Sequence, residues 1–453
     1  MESVIDSLNA VIWGPLMLGL ILGTGLYLTI GLKGVSLTRI PHAFGLLIRG
    51  RNGDGEGEIS PFNALMTALS STIGTGNIAG VATAVGIGGP GALFWMWCAA
   101  VLGIATKYAE AVLAVKYRET DPTGKKVGGP MYYIKNGLSA KWQFLGILFA
   151  VFGAFAGFGL ANTVQSNTVS QALMSTYSVP TIVSGVIMSS LVALVLLGGL
   201  KRIAEVAGRL VPLMAILYLG CTTLILLMNF SEIPGAFILI IDSAFNGVAA
   251  GGGFAGSTLI LALRMGVARG IFSNEAGLGS APIAHAAAVT NDPVKQGSIA
   301  MLGTFIDTLI ICTMTGLVLV VSGAWKGEAA GAAMTLMAFD ANLPFGESLL
   351  TVCIVLFAFT SMLGWSYYGE RCAEFLVGPK IIAPFRVLWV IGIFLGTQLS
   401  LGMVWKISDL LNGLMAFPNL IALILLSPVV FKLTREHGRE EFTTVVKESE
   451  KSA

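Results

Sequence analysis

The stretch SSTIGTGNIAG, residues 70–80, lies in a long run that carries no charged residue between Glu58 and Lys107. Apolar runs of this length are typical of helices that span a membrane. The Gly-Thr-Gly-Asn core of the stretch, residues 74–77, combines two helix-weakening glycines with an asparagine. At mid-span no water is available to satisfy a freed backbone group, so such a combination needs a physical reason. The pattern predicts a transmembrane helix that is interrupted at this point.

The composition places the whole chain in the membrane. Of its 453 residues, 55% are hydrophobic and only 11% are charged, whereas soluble domains carry about 25% charged residues. The net charge of +2 comes without a basic block long enough to bind nucleic acid. The five cysteines have no metal-type spacing and are interpreted as small core residues, so neither a metal centre nor a cofactor is predicted.

Uncharged stretches of the sequence predict the individual spans. A helix needs about 20 predominantly apolar residues to cross the hydrocarbon core. The two longest uncharged runs each divide into a pair of spans, the first at GGPG (88–91) and the second at Pro180. The expected fold class is therefore an all-α polytopic membrane protein with about eleven transmembrane helices. They are expected near residues 8–32, 60–87, 90–117, 142–173, 180–199, 205–230, 255–289, 296–322, 346–377, 382–403 and 406–431.

The basic loops predict the orientation, because lysine and arginine are enriched in cytoplasmic loops. The loops after helices 1, 3, 5 and 9 are basic, and the alternate loops are neutral or acidic. The N-terminus is therefore expected outside the cell membrane and the C-terminus in the cytoplasm. The charged tail, residues 432–453, is expected to be disordered. The basic residues are Lys33, Arg39, Arg49 and Arg51, then Lys116, Arg118, Lys125, Lys126, Lys135 and Lys141, then Lys201 and Arg202, and finally Lys380 and Arg386.

Two pairs of segments resemble each other across the halves of the chain. RIPHAF (39–44) recurs as EIPGAF (232–237), and GTGNIAGVATA (74–84) has a weaker counterpart in GLGSAPIAHAA (277–287). An odd number of spans separates the matching elements, so the two halves have opposite orientations, as in an inverted-topology repeat. The predicted divisions are an extra N-terminal helix over residues 8–32, a first repeat over 60–230, a second repeat over 231–431 and the cytoplasmic tail.

An interrupted helix would expose backbone groups as ligands. Amides freed after Gly74, at the N-terminus of a half-helix, favour an anion such as a carboxylate. Carbonyls freed around Ser70 and Ile73 suit a small cation. Inverted-repeat transporters place such broken helices at corresponding positions of the two halves. The alternative is that the glycines only allow close packing between helices.

Two longer stretches resemble a known family. GTGNIAGVATAVGIGGPGALFWMW (74–97) and GIFSNEAGLGSAPIAHA (270–286) resemble the two hallmark regions of the alanine/glycine:cation symporter family, and the likeness covers nearly all of the chain. Cys98 departs from it, since an aliphatic residue is expected there. The resemblance implies a five-plus-five inverted-repeat transporter with discontinuous helices 2 and 7. It also implies uptake of small neutral amino acids driven by sodium, or in some members by protons.

The same resemblance assigns a substrate site. The first interruption should hold the substrate carboxylate, and the second should form the opposite wall, with an aromatic ring limiting the pocket size. A glutamine of helix 4 is a further candidate ligand, although it could equally serve interhelical hydrogen bonding. A tryptophan of helix 9 either caps the pocket or packs against it. The predicted residues are Thr75, Gly76 and Asn77, then Phe272, Ser273 and Gly277, then Gln165 and Trp365.

A sodium site is implied next to the first interruption. The adjacent hydroxyls Thr360 and Ser361 resemble the pair that completes the common sodium site of this fold, together with carbonyls of Ser70, Ile73 and Phe357. The alternative is that these hydroxyls bond back to their own helix, as serine and threonine usually do in membranes.

Several ionisable residues lie within the predicted spans, where a charge costs roughly 2.5–3.5 kcal/mol and should have a partner. Asp307 would bind an ion, carry a proton or pair with an arginine. Glu275 lies in the second interruption, and Arg269 with an acidic residue would form an extracellular gate. Lys107 and Glu110, three residues apart, are expected to form a structural pair.

Other classes of protein fit the sequence less well. A channel would need a repeated filter, and an enzyme would need a nucleophile–base set or metal ligands, which the three scattered histidines do not supply. We therefore predict a secondary active symporter that imports alanine and glycine with sodium by alternating access. The expected partners are the amino acid, sodium and the lipid bilayer, with no obligate protein partner. The alternative is a proton-coupled symporter or a sodium-independent exchanger.

Overall fold

A computed structural model of the chain describes residues 2–49, 53–246, 255–399 and 401–452. The described residues are almost entirely helical, apart from one short antiparallel hairpin formed by β1 (Glu119–Thr120) and β2 (Lys126–Val127). The helices are α1 (Glu2–Ile12), α2 (Pro15–Gly31), α3 (Val35–Thr38), α4 (Ile40–Arg49), α5 (Pro61–Thr72), α6 (Ala79–Gly88), α7 (Gly91–Lys116), α8 (Pro130–Gly137), α9 (Phe144–Gly157), α10 (Val164–Tyr177), α11 (Thr181–Leu196), α12 (Gly199–Met228), α13 (Ile233–Asn246), α14 (Ala255–Asn274), α15 (Ala281–Ala286), α16 (Pro293–Thr304), α17 (Thr313–Val321), α18 (Ala332–Asn342), α19 (Gly346–Val377), α20 (Ile382–Gly396) and α21 (Leu401–Ser452).

Short segments of other helical types join several of these helices. π-helical turns connect α9 to α10 and α16 to α17, so that each pair forms one long span. The 3₁₀ turns are Thr75–Asn77, Ala140–Trp142, Phe230–Glu232, Ala324–Lys326 and Pro379–Ile381, and the π segments are Phe158–Thr163 and Phe305–Cys312.

The number of membrane crossings agrees with the sequence. Among the described residues, 8 helical stretches are long and apolar enough to cross a membrane, and α11 is a shorter apolar helix. The interrupted pairs α5–α6 and α14–α15 add two crossings, which brings the described crossings to the eleven expected. The all-α polytopic class is therefore confirmed. The span predicted at 346–377 coincides with α19, and the first span begins earlier than predicted and is divided before Pro15.

The first interruption lies where the sequence predicted it. The helix α5 ends at Thr72, and Ile73 and Gly74 are extended, with φ of −77° and −141°. One 3₁₀ turn follows before α6 begins at Ala79. A side chain at position 74 would collide with the Ser361 hydroxyl, so glycine is required there by close approach.

The second interruption is built from left-handed backbone. The helix α14 ends at Asn274, and Glu275, Gly277 and Gly279 have φ of +58°, +88° and +79°. Glycine adopts this region without a steric cost, whereas a glutamate there is strained and must be held by its surroundings. The chain becomes helical again at Ala281. Both helices 2 and 7 are therefore discontinuous.

The order of elements supports the predicted repeat. A surface helix precedes each interrupted span: α4 lies before α5–α6, and α13 lies before α14–α15. A long span and then a short helix follow each time, α7 and α8 in the first half and α16–α17 and α18 in the second. The exact limits of the two repeats stay a prediction.

The tail departs from its expectation. The helix α21 continues through Ser452 instead of ending near residue 431, so the expectation of a disordered tail is wrong for the described residues. Its polar part is rich in lysine, glutamate and arginine, which are good helix formers. Tyr108 anchors it through a hydrogen bond of 2.8 Å between its hydroxyl and that of Thr434. Arg51, one of the predicted cytoplasmic cations, lies outside the described residues.

Candidate functional site

The first interruption presents backbone amides that two carboxamides satisfy. Asn77 Oδ1 accepts a hydrogen bond from the Gly74 amide at 2.9 Å. Gln165 Oε1 accepts one from the Thr75 amide at 3.1 Å. The Thr75 hydroxyl is buried and has no hydrogen-bond partner among the residues that the structure describes. Three predicted residues thus meet at one point, and the acceptor on the Thr75 amide is neutral.

Gln165 reaches this point from helix 4, the span formed by α9 and α10, where it follows a π-helical turn. The turn, Phe158–Thr163, adds a residue to the helical repeat and changes which side chains face inward. Asn162, within the turn, donates to the Trp389 carbonyl at 2.7 Å and therefore serves packing between helices. Of these two carboxamides in helix 4, Asn162 thus serves packing, and Gln165 contacts the first interruption.

Asp307 connects the two interruptions. Its Oδ1 accepts a hydrogen bond of 2.7 Å from Asn77 Nδ2, and its Oδ2 accepts one of 2.9 Å from Ser273 Oγ. Thr308 Oγ1 donates to the same Oδ2 at 2.7 Å. The carboxyl group is completely buried, and within the described chain it pairs with no arginine. Of the three roles considered for Asp307, pairing with an arginine is therefore wrong, and an ion or proton role stays open.

The strained Glu275 is held by helix 9, which is α19, and by the loop that contains Glu275 itself. Trp365 Nε1 donates to Glu275 Oε1 at 2.6 Å, and the Ser280 hydroxyl donates to Oε2. Glu275 and Trp365 are both about 1% exposed. Trp365, predicted to cap a pocket or to pack, thus fixes the second interruption.

Glu110 has a different role from the predicted one. Its Oε1 accepts hydrogen bonds from the amides of Gly277 and Gly279, each at 3.1 Å, and from Asn419 Nδ2 at 2.7 Å. The expected ion pair with Lys107 is wrong, because Lys107 Nζ is buried and has no hydrogen-bond partner in the described part of the chain. The Glu110 carboxylate instead accepts hydrogen bonds from the freed amides of the second interruption. Gly277, predicted to line the substrate pocket, directs its amide to Glu110.

All five predicted sodium ligands are buried, and a contact between helices joins two of them at the first interruption. Ser361 Oγ donates to the Ile73 carbonyl at 3.3 Å, which joins helix 9 to the end of α5. Thr360 Oγ1 donates to the carbonyls of Leu356 and Phe357 in its own helix, at 3.1 and 3.0 Å, as the alternative predicted for this hydroxyl. Ser70 Oγ also donates within its own helix, at 2.8 Å. Hydroxyl and carbonyl oxygens are hard ligands of the kind that small cations prefer.

Arg269 closes one end of the site. Its guanidinium makes two hydrogen bonds to Asp409 of α21, at 3.0 and 2.7 Å. The same group lies over the rings of Phe272 and Trp405, at 5.4 and 5.3 Å from their centroids. Phe272 and Trp405 are stacked with centroids 5.1 Å apart. The acidic partner that the sequence left unnamed is therefore Asp409. Its only sequence signal is that it is an acidic residue in an otherwise apolar span.

A cavity of about 340 Å³ is lined by Trp405 and by Ala79, the first residue of α6. Phe272 also touches the interruption, because a Cβ placed at Gly76 would lie 3.3 Å from Phe272 Cδ1. The polar lining residues of the cavity are Thr83, Thr168, Gln171 and Ser175.

The chain is similar to known proteins over nearly its whole length. A family model described as the sodium:alanine symporter family matches residues 1–451. The sodium/alanine symporter AgcS of Methanococcus maripaludis is 49% identical over 440 residues, which cover 96% of each chain. An uncharacterized transporter of Haemophilus influenzae is 51% identical over 440 residues, again 96% of each. The crystal structure of MhsT in complex with L-phenylalanine aligns with a TM-score of 0.58 at 13% identity, over 82% of this chain and 89% of that one, which shows a shared fold.

Proposed function

Because this chain belongs to the sodium:alanine symporter family, as its sequence predicted, we propose that it imports alanine and glycine together with sodium by alternating access. Family membership by itself establishes a cation-coupled amino-acid symporter and a multi-pass membrane protein, and excludes an enzyme. The observation that carries the finer proposal is the pair of interrupted helices joined through Asp307. The proposed orientation puts the N-terminus outside the cell membrane and the C-terminus in the cytoplasm.

The substrate carboxylate binds at the first interruption in this proposal. The Thr75 amide holds a neutral oxygen of Gln165 at 3.1 Å, which a negatively charged oxygen replaces with a stronger, charge-assisted bond. The Thr75 hydroxyl supplies a second donor, since it is buried without a partner among the described residues. Backbone and hydroxyl donors stabilise the anion without a buried positive side chain.

Sodium binds one turn away, between helix 9 and the end of α5. The Ile73 carbonyl and the Ser361 hydroxyl face each other across that contact at 3.3 Å. The Thr360 hydroxyl and the carbonyls of Ser70 and Phe357 complete the oxygen set after the hydroxyl rotates away from its present acceptors. Binding of the cation there fixes α5 to helix 9 and thereby shapes the neighbouring substrate site.

The walls of the site favour small side chains. Gly76 faces Phe272 so closely that a single added carbon would be in tight contact at 3.3 Å. Ser273 on the opposite wall is engaged with Asp307. This limited space supports glycine and alanine as substrates in preference to larger amino acids.

The energetics are sufficient for uphill import. One cation that crosses about 100 mV supplies roughly 2.3 kcal/mol. A tenfold sodium gradient adds roughly 1.4 kcal/mol. Together they support an accumulation of several hundredfold, because each 1.4 kcal/mol corresponds to about a factor of ten.

Coupling to protons is the second candidate, and Asp307 is the observation that favours it. A buried carboxyl group that contacts both interruptions is well placed to take up and release a proton during the cycle. In that case protonation of Asp307 would replace sodium binding as the step that couples the two interruptions.

Uptake into proteoliposomes separates the candidates. We expect labelled alanine to accumulate when an inward sodium gradient is imposed at equal pH, and not when potassium replaces sodium. Accumulation that follows a pH gradient and is indifferent to sodium would favour the proton alternative and contradict our proposal. Competition by unlabelled glycine and by a bulkier amino acid then tests the size limit set by Gly76 and Phe272.

A further inference from the structure

Two chain segments meet at the end of the site opposite Arg269. One segment, residues 53–60, leads into α5, and the other, residues 286–292, follows α15. They form two parallel bridges, Asp54 with Thr290 and Ile59 with Ala288. Their amides and carbonyls also bond across the contact, at distances of 2.8 to 3.2 Å. The two half-helices at this end of the interrupted spans are thus joined backbone to backbone.

Glycines make this close approach possible. A Cβ at Gly57 would overlap the backbone of Ala288. A Cβ at Gly55 would lie 2.7 Å from the Asn291 amide, and Gly55 has φ of +137°. The main chains of the two segments are therefore in direct contact at these glycines, with no side chain between them.

Arg118, two residues after the end of α7, forms hydrogen bonds to both segments. Its Nη1 donates to the carbonyls of Ala286 and Ala288, at 3.1 and 2.8 Å. Its Nη2 donates to the carbonyls of Glu56 and Thr290, at 2.9 and 2.6 Å, and to the Asn291 side chain at 3.4 Å. One half-buried guanidinium thus bonds carbonyls of both segments. A planar fork with five donors can do this, whereas the compact ammonium of lysine cannot span the same acceptors.

An ion pair across the same contact contributes much less. Lys295 Nζ lies 3.6 Å from Asp54 Oδ2, and the Asp54 side chain is 94% exposed. Exposed pairs of this kind are weak because solvent and salt screen them. The Asn291 side chain adds one longer bond across the contact, because its Oδ1 accepts from the Glu56 amide at 3.3 Å. Arg118 therefore makes most of the side-chain hydrogen bonds that hold the two segments together.

We propose that Arg118 is the positioning residue that keeps the cytoplasmic gate of the symporter closed. This inference rests on the proposed function and deepens it, because it names what must be released for the substrate to leave. The half-helices α5 and α15 form the cytoplasmic halves of the two interrupted spans in the proposed orientation. A path to the cytoplasm opens only if they separate, and this separation breaks the bridges and the hydrogen bonds of Arg118 together.

Thiol labelling in inside-out vesicles tests the gate. The reporter is Ala287→Cys, at a fully buried position within the closed contact, and the reagent is a membrane-impermeant maleimide applied to the cytoplasmic side. Labelling of the native cysteines is subtracted with the same protein lacking the reporter. We expect Arg118→Gln to increase the labelling rate about tenfold, each factor of ten being about 1.4 kcal/mol in the gate equilibrium. Arg118→Lys should give a smaller increase, because it keeps the charge but not the fork.

Lys295→Gln is the matched control, since it removes a cation and an ion pair from the same contact without touching the carbonyl bonds. Its labelling rate should stay at the parent level. Unchanged labelling in both Arg118 variants, or an equal increase in Lys295→Gln, would overturn the proposal. Each variant is first shown to be monodisperse by gel filtration, and Arg118→Lys carries the test if Arg118→Gln does not fold. Labelling needs no transport, so a failure of alanine uptake by the parent protein would count against the proposed function alone.

Discussion

The two interrupted helices satisfy their freed amides in different ways. The first relies on neutral carboxamides, Asn77 on the Gly74 amide and Gln165 on the Thr75 amide. The second relies mainly on a carboxylate: one oxygen of Glu110 accepts hydrogen bonds from two glycine amides, and the Asn274 carboxamide accepts one from the Ala276 amide. Hydrogen bonds to charged groups are roughly twice as strong as neutral ones. We therefore propose that the second interruption keeps its bonds to Glu110 during transport, whereas the first exchanges its neutral partners for those of a ligand.

The largest effect should come from releasing the second interruption. Glu110→Gln keeps the shape of the side chain but removes the charge on which two amides and Asn419 converge. Since a hydrogen bond to a charged group contributes about 1.5–3 kcal/mol, the variant should lose about 3 kcal/mol or more of stability and all alanine uptake. Thermal unfolding of the purified protein measures the first quantity, and uptake into proteoliposomes measures the second.

Gln165→Met provides the comparison at the first interruption, because it removes a neutral acceptor of similar size. Its unfolding temperature should change much less than that of Glu110→Gln. Equal losses of stability in the two variants would show that both interruptions are fastened alike, and the distinction drawn from their acceptors would be wrong.

The sequence predicted the interruptions themselves but not how each is satisfied. Glycine pairs at 74–76 and 277–279 are local signals, since the helix is weakened by the residues that form it. The partners are not local: Glu110 reaches the second interruption 167 residues away along the chain, and Asp409 lies 140 residues beyond Arg269. Spacing favoured the pair Lys107 and Glu110 within one helix, but freed amides elsewhere in the fold take the carboxylate. Such a competition is decided by tertiary structure and leaves no trace in helical periodicity.

A charge introduced at the first interruption should have the next largest effect. Gln165→Glu keeps an oxygen on the Thr75 amide and makes it negative. Two like charges about 4 Å apart repel by about 4 kcal/mol at an effective dielectric constant near 20. The KM for alanine should therefore rise about 100-fold or more. The unfolding temperature should fall as well, because Gln165 is buried and a charge within a span costs roughly 2.5–3.5 kcal/mol.

Gln171→Glu is the matched control, with the same change of charge on the same helix at an exposed position beside the cavity. It should leave the KM for alanine nearly unchanged. If Gln165→Glu transports alanine with the parent KM, then Thr75 does not hold the substrate carboxylate.

Asp307→Asn tests the link between the interruptions. The asparagine side chain has a single acceptor oxygen. Its NH₂ group therefore faces either the Asn77 NH₂ group or the Ser273 hydroxyl, both of which donate to Asp307 in the parent protein. A buried group left unsatisfied costs about 1–3 kcal/mol, and uptake should fall about tenfold or more. If sodium is the coupling ion, the residual uptake keeps its dependence on the sodium gradient. Loss of accumulation together with intact alanine exchange would instead identify Asp307 as the carrier of a coupling proton.

The smallest expected effect concerns the contact between helix 9 and α5. Ser361→Ala removes the only side-chain oxygen that reaches the Ile73 carbonyl among the described hydrogen bonds. A neutral hydrogen bond contributes about 1 kcal/mol, so the sodium concentration for half-maximal uptake should rise about fivefold. The KM for alanine at saturating sodium should not change, because the first interruption keeps its carboxamide partners. Ser366→Ala removes a buried hydroxyl that bonds only within the same helix, to Leu363 at 2.6 Å, and should leave the sodium dependence at the parent value. A shift of equal size in both variants would mean that helix 9 packing, and not a cation ligand, sets the response to sodium.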